Sequence, residues 1–392
     1  MRRIRGILAA TSAAWLLAAC GPGEPRSGAR DEGEGAAATV PGEAASGAVS
    51  VDPEPGEGRL SNLRMLTFAG ENAEAYWNAD GTRLILQATR PGETECDQIF
   101  TMDDEGRDLR LVSTGEGRTT CAYFFPDGER VLYSSTHEFG ADCPPPPDRS
   151  RGYVWALYDY DVYSARPDGS DLRRLTNTPG YDAEATISPD GSRIVFTSVR
   201  DGDLEIYTMK ADGTDVRRLT HEEGYDGGPF FSSDGTKIVY RAYHPTDPAE
   251  LEDYRSLLRD GLVRPGTLEI FVMDADGSNK RQVTSNGAAN FGPFFHPDGE
   301  RIIFSSNLHE PDGRDFDLYL IRVDGTGLER VTRHPEFDGF PMFSPDGSRL
   351  VFASNRSNRQ RGDTNVFVAD WVEDRPASAS GEPGTSAIEE GP

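Results

Sequence analysis

Positive charge is scarce in this chain of 392 residues, in which 40 lysines and arginines stand against 66 aspartates and glutamates. The formal net charge is −26, and a surface of that sign repels nucleic-acid phosphates and anionic lipid headgroups. We therefore expect no nucleic-acid partner and no direct adsorption on anionic membranes. Apolar residues make up 36% of the chain, which is enough to support a folded core.

The first 20 residues have the layout of an export signal. Three arginines precede an apolar stretch from residue 7 to 19, which is too short for a stable transmembrane helix. The stretch ends in Leu-Ala-Ala-Cys, which resembles a bacterial lipobox, and this resemblance implies removal of residues 1–19 and lipidation of Cys20. The alternative is an ordinary signal followed by a chance cysteine. By analogy with Gram-negative lipoproteins, Gly21 after the cysteine does not indicate inner-membrane retention. We expect an outer-membrane protein facing the periplasm, or a cell-surface protein, attached to the membrane only through lipid.

Residues 20–58 are rich in Gly, Ala, Pro, Glu and Ser and contain almost no large apolar side chain. Such a segment cannot bury enough surface to offset its chain entropy, so it is interpreted as a flexible tether. Residues 376–392 have a similar composition and are expected to form a disordered tail. The folded domain is therefore expected to span residues 59–375.

Six Asp-Gly pairs recur in this domain, with the aspartates at 80, 127, 190, 234, 298 and 346. Each pair is followed by a β-rich run such as "RIVFTSV", a second run such as "EIYTMK", a turn such as "ADGTD" and a short strand such as "VRRLT". One further strand, such as "YDAEATIS", precedes each pair. Period-2 patterning and Asp-Gly turns predict four antiparallel strands, named A to D from the axis outward. Repeats of this length with four strands are typical of propeller blades.

The outermost strand shows how the ring closes. The sixth repeat has no copy of the "VRRLT" strand, whereas "LRMLT" at residues 63–67 precedes the first repeat. Because an open stack would expose an unpaired edge, residues 63–67 are expected to complete the sixth blade. The prediction is an all-β, six-bladed propeller closed by an N-terminal strand. Six unrelated hairpins are the alternative.

The strings "SPDGSRIVF" and "EIYTMKADG" resemble the PD40 repeat of TolB-type propellers. The resemblance covers about residues 60–372 and implies the same six-bladed ring. TolB is a periplasmic hub of the Tol–Pal envelope system, with an α/β domain where this chain has the tether. We expect a monomer whose partner is a protein, peptide or glycan of the cell envelope.

The two faces of the predicted ring differ. The A–B and C–D turns lie on one face, called here the constant face, and they are short and uniform. The opposite, variable face carries the B–C connections, of which two are long: insert 2 (137–158) and insert 4 (244–267). Insert 4 contains a predicted helix, roughly Pro248–Arg259. Loops on a rigid scaffold commonly bind ligands, so we expect the binding site on the variable face.

Alignment on the Asp-Gly pairs predicts two rings of polar residues at the mouth of the central channel. Positions eight and six residues before each aspartate should point along strand A into the channel. The acids and amides at these positions form an inner ring: Asn72, Glu74, Asp182, Glu184, Asp226, Asn290 and Asp338. Positions ten residues after each aspartate form an outer ring: Arg90, His137, Arg200, His244 and Arg356.

Several roles fit these rings. The acids would hold Ca²⁺ or Mg²⁺, or receive a cationic side chain of a peptide, and the outer ring would grip carboxylates. Alternatively, the two rings neutralise each other. No other cofactor is expected. His137 and His244 lie two blades apart, so they are not expected to share a metal.

The leading hypothesis is a binding scaffold without catalysis. Oligogalacturonate lyases have similar propellers with histidine-bound metal, but no tight histidine cluster is visible here. No Gly-x-Ser-x-Gly motif is present, and too little chain remains for a hydrolase domain, which argues against a complete propeller-type serine peptidase. The enzyme alternative is a lyase or hydrolase acting on an anionic polysaccharide, and the third alternative is a purely architectural envelope protein.

Three cysteines remain after the lipidated one: Cys96, Cys121 and Cys143. An exported protein favours one disulfide among them, and the sequence leaves the three pairings open. Such a bond would fix the proline-rich loop of blade 2. The "KADG" and "DADG" strings superficially resemble calcium loops, but no glutamate follows at the required offset, and they are interpreted as turns. Aromatic residues before the Asp-Gly pairs are interpreted as packing between blades.

Overall fold

The computed structural model describes residues 47–373, and in it six antiparallel sheets form the blades of a closed propeller. Strands A to D of blade 1 are Glu71–Trp77, Arg83–Thr89, Gln98–Asp103 and Arg110–Leu111. Those of blade 2 are Thr119–Phe124, Val131–Ser135, Asp161–Ala165 and Arg173–Arg174. Those of blade 3 are Asp182–Ile187, Arg193–Ser198, Glu205–Lys210 and Arg217–Arg218. In blade 4 they are Tyr225–Phe231, Lys237–Tyr243, Glu269–Asp274 and Arg281–Gln282. In blade 5 they are Asn290–Phe295, Arg301–Ser306, Asp317–Arg322 and Glu329–Arg330. In blade 6, strands A to C are Asp338–Phe343, Arg349–Ser354 and Asn365–Trp371.

The first described strands close the ring, as predicted. Leu60–Met65 pairs antiparallel with Asn365–Trp371 and is strand D of blade 6. The strand therefore begins three residues earlier than the predicted 63–67 and ends before Thr67. Both ends of the described chain thus meet in one blade, which confirms the predicted all-β propeller closed by an N-terminal strand.

Residues 47–58 correct the predicted boundary of the tether. Val49–Ser50 pairs with Leu60–Met65 as a fifth strand on the outer edge of blade 6. The Glu57 carboxylate is buried, 2% exposed, and forms an ion pair with Arg356. The boundary expected at residue 58 is therefore too late, because backbone pairing and a buried ion pair hold this segment despite its few apolar side chains. The predicted signal peptide, Cys20, residues 20–46 of the tether and the tail 376–392 lie outside the described residues.

The Asp-Gly pairs form the A–B turns of the constant face. In the turn at Asp190, one carboxylate oxygen accepts hydrogen bonds from the backbone N–H of Ser192, at 3.0 Å, and from the Ser188 hydroxyl. The following Gly191 has a φ of +70°, a conformation that glycine adopts without strain. Asp212 of the "KADG" string accepts a hydrogen bond of 3.0 Å from the backbone N–H of Thr214, which confirms that this string is a turn.

Two sets of hydrogen bonds repeat around the ring. In every blade, the backbone N–H of the residue eight before the Asp-Gly aspartate donates to a carbonyl of the preceding blade, at 2.7–3.1 Å. Within every blade, a strand C backbone N–H donates at 2.8–2.9 Å to the hydroxyl that ends the strand D motif: Ser113, Thr176, Thr220, Thr284, Thr332 and, in blade 6, Thr67. The recurrent Thr or Ser of the sequence motif therefore fastens the outer strand to the blade.

The hydrophobic core lies between neighbouring blades. Strand B of blade 3, "RIVFTS", is buried from its second residue onward, because both faces of a blade are covered by its neighbours. Runs of consecutive apolar residues replace strict alternation for this reason.

The inserts contain the remaining elements. Insert 4 holds the α-helix Pro248–Arg259, whose bounds match the prediction, and Asp247 caps its N-terminus. Insert 2 contains two short 3₁₀ turns, His137–Phe139 and Arg149–Arg151. Among residues 47–373, there is no helix with the length and apolar character required to cross a bilayer.

Candidate functional site

The residues six before each Asp-Gly aspartate form one layer of the channel wall. All six have a left-handed backbone, with φ between +50° and +60°, and all six line the central cavity: Glu74, Cys121, Glu184, Gly228, Gly292 and Phe340. Each lies within a β-bulge of strand A, where the pairing with strand B shifts register. This layer agrees with the predicted position of Glu74 and Glu184.

The residues eight before the aspartate do not line the channel. The bulge that follows them breaks the period-2 alternation on which the shared orientation depended. The acids and amides among them are at most 1% exposed as whole residues and lie at the seams between blades: Asn72, Asp182, Asp226, Asn290 and Asp338. The prediction of a single inner ring is therefore wrong for these five residues.

Three members of the predicted outer ring neutralise these buried acids. One guanidinium nitrogen of Arg200 lies 2.9 and 3.0 Å from the two carboxylate oxygens of Asp182. In blade 4, Nε2 of His244 lies 3.1 Å from a carboxylate oxygen of Asp226.

In blade 6, the outer base likewise contacts the buried seam acid, and it also contacts a second carboxylate. The Arg356 guanidinium contacts Asp338 at 2.6 Å and Glu57 at 3.0 Å, and all three side chains are buried. Of the roles considered for these acids and bases, mutual neutralisation is the one that their contacts show.

The other outer residues accompany neutral seam residues. In blade 1, Arg90 pairs with Glu93 at 2.9 Å, while the Asn72 amide donates to backbone carbonyls. In blade 2, the His137 ring packs on Tyr163, with ring centroids 4.5 Å apart. Asn290 of blade 5 also donates its amide to a backbone carbonyl, at 2.7 Å. A base at the outer position thus contacts the inner position only where the inner residue is an acid.

Burial is the main influence on the pKa of the seam acids. It raises the pKa of Asp182, Asp226 and Asp338, and this effect outweighs the opposing influence of the paired base in each blade. Burial lowers the pKa of His244, but Asp226 and Glu222 together outweigh burial and raise this pKa above its usual value.

A second set of buried acids was missed in the sequence. Asp161, Glu205 and Asp317 begin strand C in blades 2, 3 and 5 and are fully buried. Each pairs with a strand D arginine: Arg174, Arg218 and Arg330. Each also stands 21 residues before a seam acid of the next blade, and this constant spacing was the available signal.

Aromatic side chains fill the channel below the layer of left-handed residues. Tyr76 of blade 1 contacts Phe230 of blade 4, with ring centroids 5.4 Å apart, although these blades lie opposite each other. Tyr123 and Phe294 extend the cluster. The free volume beside this cluster is about 20 Å³, enough for about one water molecule. These aromatic residues therefore fill the central channel. The sequence analysis interpreted them as packing between blades and did not predict this position.

The two long inserts meet above blade 3. Trp155–Ala156 of insert 2 pairs antiparallel with Leu262–Val263 of insert 4, forming a two-stranded ribbon. Arg151 pairs with Asp253 and Asp260 of insert 4, at 3.1 and 3.0 Å. The two joined inserts (137–158 and 244–267) are called the canopy below.

The canopy also covers the channel mouth. The Trp155 ring centroid lies 5.4 Å from the guanidinium carbon of Arg241, which lines the central cavity and pairs with Glu184. Tyr153 lies 5.2 Å from the guanidinium carbon of Arg314, in the B–C connection of blade 5. Because blade 5 lies opposite blade 2, insert 2 spans the mouth.

The structure pairs Cys96 of blade 1 with Cys143 of insert 2, with Cα atoms 5.8 Å apart. Cys121 is buried in the channel wall and is not part of the disulfide. The bond fixes the start of the proline-rich loop to blade 1, as expected for a disulfide involving Cys143.

A groove of about 480 Å³ is lined by residues of the canopy. Its wall combines apolar, aromatic and charged residues of both inserts, among them Tyr158, Arg151, Asp260 and Leu262, with the adjoining Asp159. Concave sites of this volume and mixed chemistry are typical of ligand binding. Between residues 47 and 373, no three His, Cys, Asp or Glu side chains are grouped so that they could hold a metal ion.

Comparison with known proteins agrees with this fold. Residues 156–249 match the family model described as the TolB beta propeller domain, PD40. A protein TolB homolog of Chlorobium luteolum is 26% identical over 147 residues, covering 31% of this chain and 33% of that protein. The uncharacterized peptidase YuxL of Bacillus subtilis is 30% identical over 249 residues, covering 62% of this chain and 30% of that protein. The matches thus span about a third of the length of these two relatives.

The crystal structure of TolB from Acinetobacter baumannii superposes with a TM-score of 0.53 and 19% identity, covering 75% of this chain and 65% of that chain. This likeness supports the fold alone. Together with the repeats and the six closed blades, the comparisons show a six-bladed β-propeller whose residues 156–249 are similar to the PD40 repeats of TolB propellers.

Proposed function

We propose that this protein is an exported, lipid-anchored scaffold that binds a protein or peptide of the cell envelope through its canopy. The observation that carries the proposal is the pairing of Trp155–Ala156 with Leu262–Val263. This pairing turns two separate loops into one shaped surface on the variable face.

The contacts within the canopy favour binding, because a rigid surface loses little conformational entropy when it is covered. Arg264 pairs with Asp253 at 3.0 Å and also donates to the backbone carbonyl of Arg151 in the other insert. The Tyr254 hydroxyl fastens the insert 4 helix by donating to the carbonyl of Gly224 at 2.7 Å.

The groove supplies a place for a partner's side chains. The Asp159 and Asp148 side chains contribute negative charge, while Tyr158 and Leu262 contribute apolar surface. A partner segment with basic and apolar residues would complement this lining and the net charge of −26. The resemblance to TolB, a protein of the Tol–Pal envelope system, supports a protein partner in the cell envelope.

The proposed membrane anchor is compatible with this placement. The described chain begins beside Val49–Ser50 on the outer edge of blade 6, which lies opposite blade 3 in a ring of six. A tether from Cys20 would therefore join the propeller on the side away from the canopy and leave the canopy accessible.

Site-specific photo-crosslinking of the full chain in intact cells tests the proposal. A photoreactive residue would replace Leu262 or Asp159 in the groove, and Glu129 or Glu300 on the constant face as matched exposed controls. We expect a discrete protein adduct from the groove positions that the controls do not give. Adducts of the same size from all four positions, or none from the groove, would contradict the proposal.

A further inference from the structure

We propose that insert 2 is a lid over the central channel, locked by the Cys96–Cys143 disulfide and released when a dithiol reduces that bond. The lid goes beyond the proposed function, because it controls access to the central channel, whereas the proposed function concerns the groove that insert 2 also lines.

The lid crosses the mouth from one wall to the other. It leaves blade 2 after strand B, contacts Arg314 of blade 5 through Tyr153, and turns back toward strand C of blade 2. Trp155 lies over Arg241, and its indole N–H donates to the Tyr153 hydroxyl at 3.2 Å. Trp155 is 7% exposed, and its partner Arg241 lines the central cavity together with Glu184.

The disulfide controls the position of the lid through a stiff connector. Cys143 is followed directly by four prolines, residues 144–147, whose fixed φ angles give an extended, poorly flexible segment. The Tyr158 hydroxyl donates to the carbonyl of Pro145 at 2.7 Å, and Asp148 caps the next 3₁₀ turn. A fixed Cys143 therefore restricts where the residues beyond Pro147 can lie.

The surroundings of the bond allow exchange with a dithiol. Cys143 is partly exposed and Cys96 is buried, so a thiolate reaches the Cys143 sulfur and expels Cys96 as a thiolate, which then takes a proton. The second thiol of the reductant then attacks its own mixed-disulfide sulfur and expels Cys143, leaving the reductant as a disulfide. The guanidinium of Arg118 lies 3.8 Å from the Cys143 sulfur and stabilises the departing thiolate.

After reduction, the lid is held by noncovalent contacts alone. These are the ribbon of two residues on each side, the ion pairs of Arg151 with insert 4, and the apolar cluster that contains Trp155. Opening would give solvent access to the Glu184–Arg241 ion pair and to the layer of left-handed residues. This mouth of the channel would then be open to solvent under reducing conditions only.

Hydroxyl-radical footprinting with mass spectrometry tests the lid, because three buried tryptophans serve as reporters. Trp155 belongs to the lid, whereas Trp77 in blade 1 and Trp371 in blade 6 are 2% and 8% exposed and act as controls. The full chain would be compared in oxidised form, after dithiothreitol, and as the double variant Cys96→Ser/Cys143→Ser. We expect oxidation of Trp155 to rise roughly 5-fold in both reduced states, as in a local opening, while Trp77 and Trp371 stay constant.

Unchanged Trp155 oxidation after reduction, verified by the mass of the free thiols, would overturn the proposal. A parallel rise at all three tryptophans would also overturn it, because the disulfide would then stabilise the whole propeller. The variant Tyr153→Ala, with the disulfide intact, should raise Trp155 oxidation less than reduction does. Since no partner enters the measurement, its result is independent of the proposed canopy function.

Discussion

The Thr67 hydroxyl accepts a hydrogen bond of 2.9 Å from the backbone N–H of Val366, 299 residues later in the chain. The same hydroxyl donates to the side-chain oxygen of Asn365 at 3.1 Å. Equivalent hydroxyls fasten strand D in the other five blades, where strands C and D are close in sequence. In blade 6 the same hydrogen bond joins strands from opposite ends of the described chain. Ring closure therefore depends on the same bond as each blade.

Replacing Thr67 by valine tests this closure, because valine keeps the shape and removes the hydroxyl. The Val366 N–H and the Asn365 oxygen are then buried without their partner, which should lower the free energy of unfolding by about 1–2 kcal/mol in urea titrations. Thr220→Val, at the equivalent position of blade 3, should cost a similar amount. If Thr67→Val behaved like Thr114→Val at an exposed position, the closing strand would contribute little to stability.

Ring closure could be predicted from the sequence because the strand D motif occurs once for every blade, including the blade that the two chain ends form together. The segment "LRMLT" has no blade of its own and the last repeat lacks its final strand, so one placement satisfies both. The packing of Glu57 could not be predicted, because the surrounding composition is that of a linker and its partner Arg356 is 299 residues away. A single buried ion pair leaves no periodic signal in a sequence.

The variant Glu57→Ala tests how much the N-terminal segment stabilises blade 6. Arg356 would keep Asp338 but lose two hydrogen bonds of 3.0 Å, and the backbone N–H of Arg333 would lose its acceptor. Removing one member of a buried ion pair should lower the free energy of unfolding by about 3 kcal/mol. The exposed neighbour Asp52 is the control, and Asp52→Ala should change stability by less than about 0.5 kcal/mol. Equal stabilities of the two variants would contradict a structural role for Glu57.

The buried carboxylate of Glu205 should make stability depend on pH. Burial is the main cause that raises its pKa from 4.5 to about 7, and Asp226 adds to it, while Thr220 and Arg218 oppose it. The folded state therefore binds this proton more tightly than the unfolded state does. Its contribution to stability is lost as pH rises from about 4.5 to 7, since the unfolded chain releases the proton first.

The variant Glu205→Gln cannot titrate, so its stability relative to the wild type should increase with rising pH, mostly between pH 5 and about 7. At low pH, the variant should be less stable than the wild type, because an amide replaces the protonated carboxyl group of Glu205 beside Arg218. Urea unfolding at several pH values measures the difference, with Glu129→Gln at an exposed position as the control. A difference that does not vary with pH would show that Glu205 stays ionised in the folded protein.

For the residues predicted at the channel mouth, the alignment gave the correct position within each blade, but the predicted direction of the side chains was wrong for half of the strand A positions. Alignment placed Asp182 beside Glu184 on one strand, and simple alternation gave both the same orientation. The bulge between Ala183 and Thr186 breaks that alternation, and its left-handed residue is glycine in only two of the six blades. No glycine pattern therefore marked the bulge. The ribbon joining Trp155 to Val263 was also hidden, because it unites two inserts that differ in sequence.

The two glycines of the left-handed layer allow a matched test of the packing at the channel. Gly228 and Gly292 have φ values of +60° and +56°, so alanine at either position suffers the same backbone strain, which costs about 1 kcal/mol. Their surroundings differ. A Cβ at Gly292 would have no neighbour closer than 3.5 Å, whereas a Cβ at Gly228 would lie 2.9 Å from a guanidinium nitrogen of Arg241.

Gly228→Ala should therefore lower the free energy of unfolding by at least about 1 kcal/mol more than Gly292→Ala, because Arg241 must move away from its buried partner Glu184. Urea titrations of the full chain measure both values. A further readout is the fluorescence of Trp155, whose ring lies over Arg241 and should respond to Gly228→Ala but not to Gly292→Ala. Equal costs and unchanged fluorescence would mean that Arg241 shifts freely, and the channel layer would then not be the tightly packed wall that the geometry indicates.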